Sequence, residues 1–141
     1  MNIGMIGIAA VLGISAVGSA IGAGIAGQAA IGAWKRNYMA NKPASFLLVA
    51  FAGAPLTQTI YGFLLQGQMM NSEKPALLLA ALGIMSGLGM AMSAIAQGQA
   101  SAAGCDAYGE TGKCFGQYIT VVGLCETVAL FVMVFTFIAV A

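Results

Sequence analysis

The sequence of 141 residues contains no histidine and only nine charged residues. Without histidine it lacks the side chain on which many protein zinc sites depend. Its formal net charge of +1 provides no basic surface for nucleic acid. Hydrophobic residues instead make up 60% of the chain, which is well above the share in ordinary soluble domains. The composition therefore predicts an integral membrane protein that does not bind nucleic acid.

Charges are missing from long stretches of the chain. Residues 3–34, 43–72 and 75–105 carry none, and residues 114–141 carry only Glu126. Each run exceeds the roughly 20 apolar residues that a helix needs to cross a bilayer. Because the backbone must satisfy its hydrogen bonds internally in hydrocarbon, and four long runs do not make a small barrel, helices are favoured.

We predict an all-α membrane protein with four transmembrane helices at about residues 3–34, 44–70, 76–104 and 115–140. The uncharged segment Met1–Gly13 is predicted to belong to the first helix and not to a secretory signal, because a signal begins with basic residues. The first and third helices are long enough to project beyond the bilayer.

Basic residues indicate the orientation, since four of the five lie in the predicted loops 35–43 and 105–114. Short loops rich in Lys and Arg stay in the cytoplasm, which places both chain ends outside. Cytoplasmic thiols are normally reduced, so Cys105 and Cys114 are predicted to be free, with a disulfide between them as the alternative.

The chain has an internal duplication. With an offset of 71 residues, the Gly-Gln-Ala sequence at 27–29 aligns with the same sequence at 98–100. With an offset of 68, Gln58 aligns with Glu126. We therefore predict two fused helical hairpins, which comprise residues 1–72 and 73–141.

Small residues recur at every fourth position in the first and third helices, a spacing that lets helix backbones approach closely. The two rows are Gly18, Gly22, Ala26 and Ala30, and Gly89, Ser93, Gln97 and Ser101. Bulky residues collect in the second and fourth helices: Phe46, Phe51, Phe63, Phe131, Phe135 and Phe137. This distribution predicts a ring of identical subunits with the small helices inside and the bulky helices toward lipid.

Glu126 lies about 12 residues into the last predicted helix, near the middle of the bilayer. An unpaired carboxylate there costs roughly 3 kcal/mol on insertion scales, and none of the four spans offers Lys or Arg as a partner. We predict that Glu126 binds and releases a cation. The alternative is a protonated side chain that only joins helices by hydrogen bonds.

Other polar side chains of the spans offer oxygen ligands of the kind that hard cations prefer, namely Thr57, Gln58 and Gln97. Pro55 lacks an N–H, which frees nearby carbonyl groups. Tyr61, one turn after Thr57, is placed to donate its hydroxyl to the carboxylate. Gln97 reaches the depth of the acid only if the third helix extends past the membrane.

One apparent nucleotide motif is rejected. Residues 109–113 resemble the end of a phosphate-binding loop, but Ala107 stands where the first glycine belongs and Cys114 replaces Ser or Thr. No strand is predicted before it, so we interpret the segment as a polar turn and predict no ATP-hydrolysing site in this chain.

The segment Pro55–Phe63, together with residues 96–98 and 126–127, closely resembles the proteolipid (K or c subunit) of V-type ATPases. The resemblance covers essentially the whole chain and is greatest to the sodium-translocating bacterial members. It implies two fused hairpins with one acid per four helices, assembled into a membrane rotor ring that ATP hydrolysis turns in a separate soluble sector.

The same resemblance implies a Na⁺ site and a set of partners. The implied ligands are Thr57, Gln58, Gln97, Glu126 and the backbone carbonyl of Ala54, with Tyr61 as a supporting hydrogen-bond donor. The implied partners are further copies of the chain, a stator membrane subunit with a basic residue and a central-stalk subunit, in a bacterial plasma membrane. The alternatives are a proton-translocating ring, a small proton-coupled four-helix exporter and a structural membrane scaffold.

Overall fold

The computed structural model describes residues 2–141, so Met1, at the start of the first predicted hairpin, lies outside the described residues. The helices are α1 (Gly4–Met39), α2 (Leu48–Gly53), α3 (Thr57–Met70), α4 (Ala76–Thr111) and α5 (Phe115–Val140). A 3₁₀ turn at Ala54–Leu56 joins α2 to α3. Four helical segments are long and apolar enough to cross a membrane, with α2 and α3 forming one of them. The predicted all-helical fold is confirmed, and residues 2–141 contain no strand.

The first and third membrane helices are longer than predicted. They end at Met39 and Thr111, so the predicted limits of the loops 35–43 and 105–114 are wrong. Charged side chains do not stop a helix. The chain leaves helical geometry only where Asn41 and Gly112 adopt positive φ angles of 52° and 65°. Each 36-residue helix is about 54 Å long at 1.5 Å per residue, so both project beyond a hydrocarbon core of about 30 Å.

The second membrane segment is interrupted at Pro55. It begins at Leu48, four residues later than predicted, and changes to 3₁₀ geometry at Ala54–Leu56. Proline has no N–H to donate to the preceding turn, so the regular α-helical ladder is broken at this point. The break lies directly before the residues that approach Glu126.

Helices α1 and α4 form the centre of the molecule and run parallel, because residues near their starts meet and residues near their ends meet. An ideal Cβ on Gly4 would lie 3.2 Å from the Cα of Ala76, and one on Gly109 would lie 2.7 Å from the Cβ of Ala33. Between these points a Cβ on Gly22 would lie 2.2 Å from the carbonyl oxygen of Ala94. The two backbones are therefore in direct contact, as the small-residue row of the first helix predicts.

The row predicted on the third helix faces a different neighbour. A Cβ on Gly89 would lie 3.2 Å from Val132 of α5, and the Ser93 hydroxyl donates to the Cys125 carbonyl of α5. The residues of α4 that contact the α1 backbone include Gly83 and Gly98. The spacing in the sequence correctly indicates a packing surface, but the predicted partner helix is wrong.

Most of the predicted lipid-facing aromatic residues are exposed on the single chain, but Phe51 is fully buried. It packs edge-on against Phe115, with ring centroids 5.2 Å apart, and covers Gly104 of α4. Cys105 is also buried there, with its sulfur 3.9 Å from the carbonyl oxygens of Ala26 and Leu48. The prediction that Phe51 faces lipid is wrong, because the missing side chain at Gly104 leaves space for its ring.

Candidate ion-binding site

Glu126 lies on α5 at the point where α3, α4 and α5 meet. The Tyr61 hydroxyl of α3 donates to carboxylate oxygen Oε1 over 2.5 Å. The Gln97 amide of α4 donates to Oε2 over 3.3 Å. The carboxylate is half-buried and is held by two uncharged donors from two different helices.

Gln97 and Gln58 connect the carboxylate to the interior. Both side chains are fully buried, and Gln58 Nε2 donates to Gln97 Oε1 over 2.7 Å. Gln97 Nε2 also donates to the Val122 carbonyl oxygen over 3.1 Å. These bonds fix the orientation of both amides, so the position of each amide oxygen is determined by the surrounding helices.

Thr57 begins α3 directly after the proline break. Its hydroxyl oxygen lies 3.2 Å from the Ala54 carbonyl oxygen and 3.2 Å from Gln58 Oε1. Pro55 causes the 3₁₀ turn that brings the Ala54 carbonyl to this position. Three oxygen atoms from three residues therefore converge at one side of the network that ends at Glu126.

The structure brings together all six residues that were predicted for the site. The condition on Gln97 is met because α4 continues to Thr111, which lets Gln97 reach the depth of Glu126 although it lies nearer to the third loop. The contacts place these residues side by side. Their part in binding an ion stays a prediction.

No basic side chain compensates Glu126. The one ion pair within residues 2–141 joins Arg36 to Asp106 over 2.9 Å. Both of its members are exposed, at the ends of α1 and α4 that project beyond the spans. A charged Glu126 is therefore stabilised only by neutral hydrogen-bond donors or by a cation that comes from outside the chain.

Two groups at the site were missed by the sequence prediction. The Ser93 hydroxyl donates to the Cys125 carbonyl over 2.7 Å and lies 3.5 Å from Gln58 Nε2, and the Val122 carbonyl accepts from Gln97. Ser93 lies one turn before Gln97 on the same face of α4, so its spacing is visible in the sequence. The sequence prediction assigns it to helix packing alone.

The remaining sequence motifs lie away from this site. Residues 109–111 form the end of α4 and Gly112 is its left-handed C-terminal residue, so the segment that resembles a phosphate-binding loop ends a helix. Cys114 is exposed in the turn before α5, whereas Cys105 is buried. Cys125 is half-buried beside the acid, and nothing in the structure explains its choice.

The comparison with known proteins bears on the hairpin formed by α4 and α5. Residues 80–139, which include Gln97 and Glu126, match the family model of the ATP synthase C subunit. This hairpin therefore belongs to the ATP synthase C subunit family. With the four membrane-spanning helices, the match makes the chain a multi-pass membrane protein.

A curated relative extends the likeness to the first hairpin. The A-type ATP synthase subunit K of Methanocaldococcus jannaschii is 35% identical over 133 residues, which make up 92% of this chain. The chain spans 57% of the length of that relative. The special likeness to bacterial sodium-translocating members of the same family stays a prediction.

Proposed function

We propose that the chain is an ion-translocating rotor-ring subunit of a V-type or A-type rotary ATPase, and that it carries Na⁺ on Glu126. The observation that supports this function most strongly is the buried network around one intramembrane carboxylate. Tyr61 and Gln97 hold the acid, and no basic side chain neutralises it within residues 2–141. A site of this kind gains stability when a cation binds and loses it when the cation leaves.

The oxygen atoms beside Thr57 favour an alkali cation over a proton. The Thr57 hydroxyl has one proton, so it donates to either the Ala54 carbonyl or Gln58 Oε1 but not to both at once. The hydroxyl oxygen thus lies 3.2 Å from each of two acceptor oxygens, with one proton to share between them. A sodium ion relieves the resulting repulsion, because hard cations bind carbonyl, amide and hydroxyl oxygens together with carboxylate.

The mechanism follows from the charge of the site. A Glu126 that has bound its ion is neutral and passes through lipid at low cost, whereas an empty carboxylate stays in the interface with a stator protein. A basic residue of that stator favours release of the ion. Rotation of the ring then links loading on one side of the membrane to unloading on the other.

The orientation and further partners form part of the same proposal. The turns at residues 40–47 and 112–114 face the cytoplasm, both chain ends face outward, and the central stalk of the ATPase binds to the cytoplasmic turns. The basic residues beside these turns support this orientation. The membrane is proposed to be a bacterial plasma membrane.

Electron microscopy of the purified protein in mild detergent and in lipid tests the ring. We expect closed rings of many copies with α1 and α4 on the inner wall. A monomer or a simple dimer under both conditions contradicts the rotor and leaves the small exporter or the structural scaffold.

Sodium binding to the purified rings tests the ion. We expect ²²Na⁺ to be retained by wild-type rings and lost in rings of Glu126→Gln, which keeps the size of the side chain but removes its charge. The proton-translocating alternative needs only the acid and Tyr61, so it predicts intact rings that retain no ²²Na⁺. A scaffold role predicts that Glu126→Gln leaves transport by the assembled ATPase unchanged.

A further inference from the structure

Two glutamines of the duplicated Gly-Gln-Ala motif take no part in the candidate ion site. Gln28 of α1 and Gln99 of α4 are both exposed, although each lies within an uncharged run of a membrane helix. Gln99 is only two residues from Gln97, so it lies close to the depth of the ion site but points to another side of α4. Both are large polar groups at a depth where water is scarce.

Neither amide is satisfied within the chain. No side-chain hydrogen bond of residues 2–141 involves Gln28 or Gln99, whereas Gln58, Gln66 and Gln97 all donate to partners. An amide in hydrocarbon without a partner is costly. A partner from outside the chain is therefore needed for both.

The two glutamines occupy equivalent open faces of their helices. On α1, Gln28 continues the exposed row of Val17 and Ile21, which are 60% and 47% exposed. On α4, Gln99 continues the row of Leu88 and Met92, which are 46% and 62% exposed. These rows are related by the offset of 71 residues, so both hairpins present the same face with one amide at the same position.

We propose that Gln28 and Gln99 form a band of hydrogen-bonded amides around the inner wall of the ring, in which Gln99 of one copy pairs with Gln28 of the next copy. This inference rests on the proposed rotor ring. The occupant of the open face beside each glutamine is thus a second copy of this chain.

The packing of α1 on α4 shows why the second copy fits. The two helices run parallel with their backbones in contact, which sets their axes about 8 Å apart. Repetition of that packing between copies brings α4 of one copy beside α1 of the next. A glutamine amide has two N–H donors and a carbonyl acceptor, so it bonds to neighbours on both sides. The apolar rows below it offer no competing partner.

Mixed rings test the contact between copies. One chain carries Gln28→Cys and the other carries Gln99→Cys, both with the three native cysteines replaced, and the two are co-assembled and oxidised. Dimers then arise only between copies. We expect at least about tenfold more dimer than in rings of either variant alone, because parallel helices in backbone contact bring the two thiols together. A mixture of Phe63→Cys and Phe131→Cys, whose side chains are exposed on the outer helices, is the matched control and should stay monomeric.

Leucine substitutions test the hydrogen bonds. Rings of Gln28→Leu or Gln99→Leu are expected to dissociate several degrees below the wild-type midpoint when heated in detergent, since interhelical amide bonds are lost. Gln117→Leu, at an exposed glutamine of α5, is the control and should leave the midpoint unchanged.

The outcomes separate the band from the rotor. Intact rings without cross-linked dimers, or intact rings whose midpoint does not fall on either leucine substitution, overturn the amide band and leave the rotor standing. A wild-type protein that forms no ring overturns both. Because the band glutamines do not contact Glu126, ²²Na⁺ binding should persist in Gln99→Leu rings that remain assembled.

Discussion

Gly22 marks the closest approach of α1 to α4, and replacing it with alanine is the sharpest test of the packing. A Cβ at this position would lie 2.2 Å from the carbonyl oxygen of Ala94 and 2.9 Å from its carbonyl carbon. It would also lie 2.9 Å from the Cβ of Pro55. Two of these three atoms belong to a helix backbone, so a side-chain rotation does not relieve the overlap.

The cost follows from these distances. Overpacking of this kind typically costs about 1–3 kcal/mol, and the rigid neighbours place Gly22→Ala near the upper end. Gly24→Ala is the matched control two residues away, since an added Cβ there meets nothing within 4 Å. Alanine stabilises a helix relative to glycine by up to about 1 kcal/mol, so Gly24→Ala should be neutral or slightly stabilising.

Thermal unfolding in detergent measures the difference between the two variants. Trp34 is the only tryptophan, and its indole N–H donates to the Ser45 carbonyl over 2.7 Å, so its fluorescence reports separation of α1 from the following turn. Gly22→Ala should unfold at a clearly lower temperature than Gly24→Ala. Equal stability of the two variants would refute the backbone contact between α1 and α4.

Three further predictions concern single side chains. Tyr61→Phe removes the donor to Oε1 of Glu126 and should weaken ²²Na⁺ retention several-fold while rings still form; unchanged retention would show that the hydroxyl is dispensable. Gln97→Ala removes a direct partner of the acid and should lower sodium affinity more strongly than it lowers stability, as parallel binding and unfolding measurements would reveal. Asp106→Asn breaks the exposed pair with Arg36 and should change the free energy of unfolding by less than about 1 kcal/mol, and a larger loss in denaturant titrations would contradict a surface role.

The sequence predicts the number of membrane helices because charge is so scarce that each uncharged run is visible. It predicts the ends of these helices poorly. Arg36 and Asp106 resemble loop residues in the sequence, yet both lie within helices that project beyond the bilayer and pair with each other. Charge marks where the hydrocarbon ends, whereas backbone geometry at Asn41 and Gly112 marks where the helix ends.

The candidate site was predicted more completely than the packing around it. An intramembrane acid needs polar partners, and few polar side chains are available, so Gln58 and Gln97 were natural choices. The neighbours of Ser93 and Phe51 were not predictable in this way. Which helix a face meets depends on the crossing of α4 and α5 and on the space above Gly104, and neither is encoded in the spacing of one helix.

Protection of Glu126 from a carbodiimide tests the central claim most directly. The reagent attacks a protonated and accessible carboxyl group, so Glu126 should be the one labelled acid, and labelling should fall as the pH rises. At constant pH and ionic strength, sodium should protect Glu126 because the bound ion excludes the proton, and potassium should protect it far less. If sodium gives no more protection than potassium at neutral and alkaline pH, the sodium site is contradicted and Glu126 carries a proton.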